Sequence, residues 1–165
     1  MTVLDDLLKE DLKVIFCGTA AGHRSAALGQ YYAGRGNRFW PTLHEAGFTE
    51  PLLPPADYAL LLDRGIGLTD LSKIGKGMDR DLARGDFDAA RFRTIVEKHR
   101  PGFVAFTSKR AAQEFFGVKR VDYGLHPDRI GKTQLFVLPS PSGAARAYWD
   151  VRHWSELARA AGFTG

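Results

Sequence analysis

The sequence has few of the features that mark disulfide-linked, metal-binding or membrane-spanning proteins. Cys17 is the only cysteine among 165 residues, which excludes an intramolecular disulfide. The spacings H-x-x-x-H and C-x-x-C are absent, so we expect neither a metal ion nor any other cofactor. No apolar run approaches the roughly 18 residues of a membrane helix, and we expect no membrane partner.

Two further signatures are missing. Neither G-x-G-x-x-G nor the full phosphate-loop pattern G-x-x-x-x-G-K-[ST] occurs, which argues against a dinucleotide-binding fold and a nucleoside triphosphate-binding loop. The first thirteen residues are acidic and amphipathic and have no positively charged n-region. We therefore expect no signal peptide and a cytoplasmic location.

What is present is typical of a globular protein. Hydrophobic residues make up 44% and charged residues 25% of the chain, and the length predicts a single domain over residues 1–165. The formal net charge is +4, which mildly favours a polyanionic partner.

Short apolar runs alternate with amphipathic stretches along the chain. The runs predict buried strands at residues 12–17, 65–71, 103–107 and 134–138. The amphipathic stretches predict helices at residues 37–46, 56–62, 87–98 (capped by Asp86), 109–116 and 153–161. This alternation indicates an α/β fold with a parallel sheet covered on both faces. Ligands of such folds bind beyond the carboxyl ends of the strands, which selects the loops at residues 18–37, 70–78, 108–110 and 139–146.

Three of these loop segments have unusual composition. Gly18 and Gly22 bracket a turn directly after a strand, where small residues expose backbone N–H groups, although an empty strand-to-helix turn would look the same. Residues 31–40 (YYAGRGNRFW) offer an aromatic ring that could stack on a base, or that could equally belong to the core. Residues 138–150 (LPSPSGAARAYWD) are stiffened by proline and suit a phosphate, or form a plain connection.

Taken in order, the segments CGTAAG, YYAGRGNRFW, GLTDL, YGLHPDRIG and VLPSPSG–AR resemble the mismatch-specific uracil-DNA and thymine-DNA glycosylases. The resemblance runs from about residue 12 to residue 157. It implies the uracil-DNA glycosylase superfamily fold, a three-layer α/β/α sandwich around a short, mainly parallel sheet of four or five strands. It also implies a monomeric, monofunctional enzyme that flips uracil out of a U·G or related mismatch in double-stranded DNA and hydrolyses its N-glycosidic bond.

The resemblance also implies roles for residues. Gly18, Thr19 and Ala20 would line the base pocket, Tyr32 would stack on the flipped base and Asn37 would brace the pocket loop. Ser140 would also contact the base. Phosphates would be gripped by Ser140, Pro141, Ser142 and Gly143. The gap left in the duplex would be filled, or the opposite strand pressed, by Ala144, Ala145 and Arg146.

The first motif departs from the pattern of these relatives. They usually carry G-I-N-P-G, whose Asn positions the attacking water, whereas Ala20 stands at that place here and Ala21 replaces the Pro. Another polar residue would have to handle water. Asp70 is the first candidate and His23 the second, although Asp70 could be a cap and His23 a solvated loop residue; Asp79 and Ser140 are more remote candidates.

Three functions therefore remain open. The first is an active glycosylase with a rebuilt water site, which the retained tyrosine and glycine turn favour. The second is a weak or inactive protein on the same fold that binds DNA lesions. The third is a nucleotide- or nucleoside-binding α/β protein, which the two arginine-containing loops disfavour.

Overall fold

The computed structural model describes residues 4–73 and 87–164, which build one five-stranded sheet in the order β2-β1-β3-β5-β4. The strands are β1 Val14–Gly18, β2 Ile66–Asp70, β3 Phe103–Phe106, β4 Gly124–Ile130 and β5 Thr133–Val137. β1, β2, β3 and β5 are parallel, and β4 pairs antiparallel with β5 at one edge. The predicted mainly parallel sheet is thus confirmed.

The central strands are apolar on both faces because helices cover both sides of the sheet. All five residues of β1 are buried, and successive side chains alternate between two cores. Phe16 points into one core, while Cys17 points into the other and is fully buried there. Burial, followed by the nearby Asp70 carboxylate, raises the pKa of the Cys17 thiol.

Five α-helices in the described residues complete the layers. They are α1 His23–Leu28, α2 Phe39–Ala46, α3 Ala89–His99, α4 Lys109–Phe116 and α5 Val151–Ala160, joined by 3₁₀ helices at Pro55–Arg64 and Gly143–Tyr148. α2 and α5 pack on one face around Phe16, Phe39 and Trp154, and α3 and α4 bury Phe92 and Phe115 on the other. The result is the expected α/β/α sandwich.

Several local predictions need correction. β4 was not predicted, because its middle residues are largely exposed and it carries Pro127, as edge strands often do. The six-residue α1 was also missed, and the predicted helix at residues 56–62 is a longer 3₁₀ helix. Asp86 lies outside the described residues; the side chain that caps α3 is Asp88, which accepts a hydrogen bond from Arg91 N at 2.9 Å.

Within residues 4–73 and 87–164, no helix is both long and apolar enough to cross a membrane.

Candidate active site

A cavity of about 820 Å³ opens at the carboxyl ends of the central strands. Its floor is formed by the ends of β1, β2 and β3, and its walls by residues 31–37 and 140–146. Both its position and its size are typical of small-molecule sites in α/β proteins.

The floor is open because residue 18 has no side chain. Gly18 is paired with Asp70 across the β1–β2 ladder. A Cβ on Gly18 would lie 2.8 Å from Asp70 Oδ1, 3.2 Å from the Tyr32 hydroxyl and 3.4 Å from Thr107 Oγ1. Three oxygen atoms therefore converge on the space that the missing methyl group leaves free.

Tyr32 forms part of the wall above this floor. Its ring stacks on Phe39, with centroids 3.9 Å apart and an interplanar angle of 18°, and its hydroxyl is 3.0 Å from Thr107 Oγ1. Its φ of +53° is in the left-handed region, which is uncommon for a residue other than glycine. The half-buried ring is thus held on one side by Phe39 while it lines the cavity. Burial, and then Asp70, raises the pKa of the Tyr32 hydroxyl, which stays neutral.

The two wall loops are joined through their backbones. Arg38 N donates to Pro141 O at 2.7 Å, and a Cβ on Gly143 would lie only 3.5 Å from Gly36 O. Asn37 Oδ1 accepts a hydrogen bond from Phe39 N at 2.9 Å, which fixes the turn before α2. The loops therefore form one continuous rim.

Asp70 is the titratable group at the floor. The residue is only 3% exposed, and burial raises its pKa to about 6, against the opposing attraction of Lys73. Among the described residues its Oδ2 atom is buried without a hydrogen-bond partner, and Lys73 Nζ lies 3.8 Å away. A carboxylate held this way can change its protonation near neutral pH, as acid–base residues of enzymes do.

The cavity brings together most of the residues selected from the sequence. Those that line it are Gly18, Thr19, Ala20, Tyr32, Asn37, Asp70, Ser140, Pro141, Ser142, Gly143, Ala144, Ala145 and Arg146. His23 is instead exposed at the first residue of α1, outside the lining. Asp79 falls outside the described residues. No group of three or more His, Cys, Asp or Glu able to hold a metal ion occurs in residues 4–73 and 87–164.

Two features of the site were not anticipated. Thr107 follows β3 and bonds to the Tyr32 hydroxyl, a role that its place at the end of a predicted strand could have suggested. Lys73 and Asp6 are close to Asp70, and no local pattern signals that pairing because Asp6 lies 64 residues earlier in the chain.

A profile of the Uracil DNA glycosylase superfamily matches residues 6–159, which is nearly the whole chain. The chain belongs to this superfamily. A member of the superfamily is expected to act on DNA as a glycosylase. The cavity lies at the carboxyl ends of the strands, which is where α/β folds generally bind their ligands.

Solved structures of similar fold are known. Among them is the solution NMR structure of "a putative Uracil DNA glycosylase from Methanosarcina acetivorans", with a TM-score of 0.66 and 20% sequence identity. The alignment covers 97% of this chain and 96% of that one. The uracil DNA glycosylase fold therefore extends over almost the entire sequence.

Proposed function

We propose that this superfamily member is a monofunctional glycosylase that removes uracil from a U·G or related mismatch in double-stranded DNA. The observation that carries the proposal is the Asp70 carboxylate, which lies at the floor of the cavity beside Gly18 and below the ring of Tyr32. The site combines a surface for a base with a buried acid.

The cavity walls suit a base taken out of the DNA stack. Tyr32 is supported from behind by Phe39, so its ring can stack on a flipped base at little entropic cost. Backbone groups of Gly18 and Thr19 would donate to the edge of the base, and Asn37 would hold the wall in place. Stacking and edge contacts together would orient the glycosidic bond toward Asp70.

The rim suits the DNA backbone. Ser140 Oγ accepts a hydrogen bond from Ser142 N at 3.2 Å, which orders the turn that precedes Gly143. Ser142 and Gly143 would contact phosphates, the exposed Arg146 would supply positive charge, and Ala144 and Ala145 would enter the gap left by the base. We propose that the protein binds DNA as a monomer.

The proposed reaction is a hydrolysis. The bond between C1′ and the base nitrogen breaks, and its electron pair leaves with the base, which backbone donors stabilise as an anion. Ionised Asp70 stabilises the developing positive charge on the sugar and orients water, whose oxygen forms the new bond to C1′. One water proton ends on the base and the hydroxyl stays on the sugar.

Cleavage of a defined duplex tests the proposal. The protein is incubated with a labelled duplex that contains one U opposite G, and alkali then breaks the strand at any abasic site. We expect cleavage at the uracil and none in the matched C·G duplex. Absence of both cleavage and U-dependent binding would instead favour a nucleotide-binding protein that does not act on DNA.

One observation favours a second candidate function. Ala20 lines the cavity at the position where the resembling glycosylases carry their water-positioning Asn, and a methyl group cannot hold water. A protein of this fold could bind the lesion without cutting it. Tight U-dependent binding of the same duplex without strand cleavage would be the result that supports this function.

Tyr32 gives a prediction about base binding. Tyr32→Phe keeps the stack on Phe39 and loses only the hydroxyl contact with Thr107, whereas Tyr32→Ala removes the ring. We expect a less than tenfold effect of Tyr32→Phe on duplex affinity. Tyr32→Ala should weaken U-dependent binding by roughly ten- to a hundredfold, the size of one base–aromatic stack. Equal effects of the two variants in a binding titration would contradict the stacking role.

A further inference from the structure

Four charged side chains of the described part of the chain meet beside the cavity floor. Asp6, Asp70, Lys73 and Arg91 have side-chain exposures of 18%, 5%, 6% and 30%. Lys73 Nζ lies 3.0 Å from Asp6 Oδ1 and 3.8 Å from Asp70 Oδ2, and it donates to the Tyr31 hydroxyl at 3.2 Å. Lys73 therefore stands between two carboxylates, and only one of them belongs to the cavity.

Long-range contacts bring this group together. Leu7 pairs with Leu68 through two backbone hydrogen bonds of 2.9 Å, which places the neighbouring Asp6 beside the end of β2. Thr69 Oγ1 donates to Asp6 Oδ1 at 2.6 Å, and Arg91 of α3 forms a salt bridge with the other oxygen of Asp6. Asp6 is thus held by three donors from different parts of the chain.

The distances show how the positive charge is shared. Two carboxylates and two cations balance in total, as buried charges must if they are to be tolerated. Lys73 is closer to Asp6 than to Asp70, however, and Asp70 Oδ2 has no hydrogen-bond partner among the described residues. The positive charge of Lys73 therefore offsets only part of the cost of burying the negative charge of Asp70.

We infer that Lys73 is a positioning residue that keeps Asp70 ionised beside the cavity, and that Asp6 competes with Asp70 for it. The inference rests on the proposed role of Asp70 in base removal. Because Lys73 is shared with Asp6, the Asp70 anion is less stabilised than it would be if Lys73 paired with Asp70 alone. The competition keeps Asp70 a stronger proton acceptor than a fully paired carboxylate.

Several other titratable groups face Asp70 from the surrounding elements. Cys17 of β1 and Tyr31 and Tyr32 of the wall loop all have pKa values raised by burial, so they stay neutral between pH 5 and 8. Among residues 4–73 and 87–164, the charged groups are Asp6 of the amino-terminal segment, Lys73 after β2 and Arg91 of α3, whose Nη1 is 3.4 Å from the Asp70 carbonyl oxygen. A pH response near 6 can therefore be assigned to Asp70 and its charged neighbours.

Two variants of opposite sign test the inference. In the protein without DNA, the pKa of the Asp70 carboxyl is followed by ¹³C NMR. Lys73→Met should raise it by about 1 pH unit or more, because a cation near 4 Å is lost. Asp6→Asn should lower it by roughly half a unit or more, because Lys73 is freed for Asp70 while Asn still accepts from Thr69. Lys98→Met, an exposed lysine on α3, is the matched control and should not move it.

The same variants are then compared in single-turnover cleavage of the U·G duplex between pH 5 and 8. The acid limb of the rate profile should shift in the same directions as the NMR values, and Lys73→Arg should restore the wild-type midpoint. A purely structural role would lower rates in both variants without opposite shifts. If Lys73→Met does not fold, Asp6→Asn alone decides the question by the sign of its shift.

The outcomes separate this inference from the proposed function. If the wild-type protein cleaves the duplex but neither variant changes the pKa of Asp70, the inference is overturned and the glycosylase proposal stands. If the two variants shift the pKa of Asp70 in opposite directions but the wild-type protein cleaves no duplex, the proposed function is overturned and the competition between Asp6 and Asp70 stands. Shifts of the same sign in both variants would overturn the competition.

Discussion

Asp70→Asn is expected to reduce single-turnover cleavage of the U·G duplex by a hundredfold or more and to stabilise the fold at pH 7. The loss of rate follows from the removal of the only carboxylate that lines the described part of the cavity. Mutations of groups that transfer protons or stabilise charge in a transition state commonly cost a hundredfold to ten-thousandfold. Substrate binding should change much less, because the shape of the side chain is kept.

The gain in stability has a definite pH dependence. Burial raises the pKa of Asp70 from 3.8 to about 6, so the folded state binds this proton more tightly than the unfolded state. Below pH 3.8 Asp70 is protonated in both states and the ionisation penalty is absent. The penalty grows as pH rises from about 4 to 6, and above pH 6 it is fully present, at about 3 kcal/mol. Asp70→Asn removes it.

Denaturant titrations of wild type and Asp70→Asn at pH 4 and pH 7 measure this difference. We expect similar unfolding free energies at pH 4 and a more stable variant at pH 7, with a gain of up to about 3 kcal/mol. Asp150→Asn is the contrast, because hydrogen bonds from Arg152 lower the pKa of that partly exposed carboxyl to about 2 and it carries no such penalty. Unchanged cleavage by Asp70→Asn would remove Asp70 from the mechanism.

Gly18→Ala is the second change with a large expected effect. The new methyl group would lie 2.8 Å from Asp70 Oδ1, closer than real Cβ contacts, and the adjacent hydroxyls of Tyr32 and Thr107 leave little room to retreat. Asp70 would have to move out of its place at the floor. We expect cleavage to fall at least a hundredfold and the unfolding free energy to fall by about 1–3 kcal/mol, as in other overpacked sites.

A double-mutant cycle tests this steric argument. In an Asp70→Ala background the closest obstructing atom is gone, so Gly18→Ala should cost much less stability there. Gly22→Ala in the same turn is the steric control, because nothing lies within 4 Å of its Cβ position, and it should cost less than about 1 kcal/mol. Equal costs of Gly18→Ala in both backgrounds would show that Asp70 does not limit the space.

The parts of the molecule that could be predicted are those governed by local pattern. Four buried strands follow from short apolar runs, and their parallel arrangement follows from alternation with helices, so the edge that carries the cavity could be located. β4 has neither a long apolar run nor a regular alternation, since it covers a sheet edge with mostly exposed side chains. No local rule would have identified it as a strand.

The site shows the same division. The meeting of the loops around the cavity could be predicted because they follow predicted parallel strands, but the environment of Asp70 was not foreseen. Its pKa depends on burial by the surrounding fold and on Asp6, which reaches it only through the pairing of Leu7 with Leu68. Such contacts are set by tertiary structure, and the sequence around Asp70 contains no trace of them.

Cys17 gives the protein a built-in reporter of changes at the cavity floor. It is the only thiol in the chain, it is fully buried in β1 next to Gly18, and its raised pKa further suppresses the reactive thiolate. A thiol reagent can therefore label the native protein only when β1 becomes exposed. The labelling rate measures how often the central strand opens, without any introduced probe, and it would show directly whether a change at the cavity floor loosens the strand that supports it.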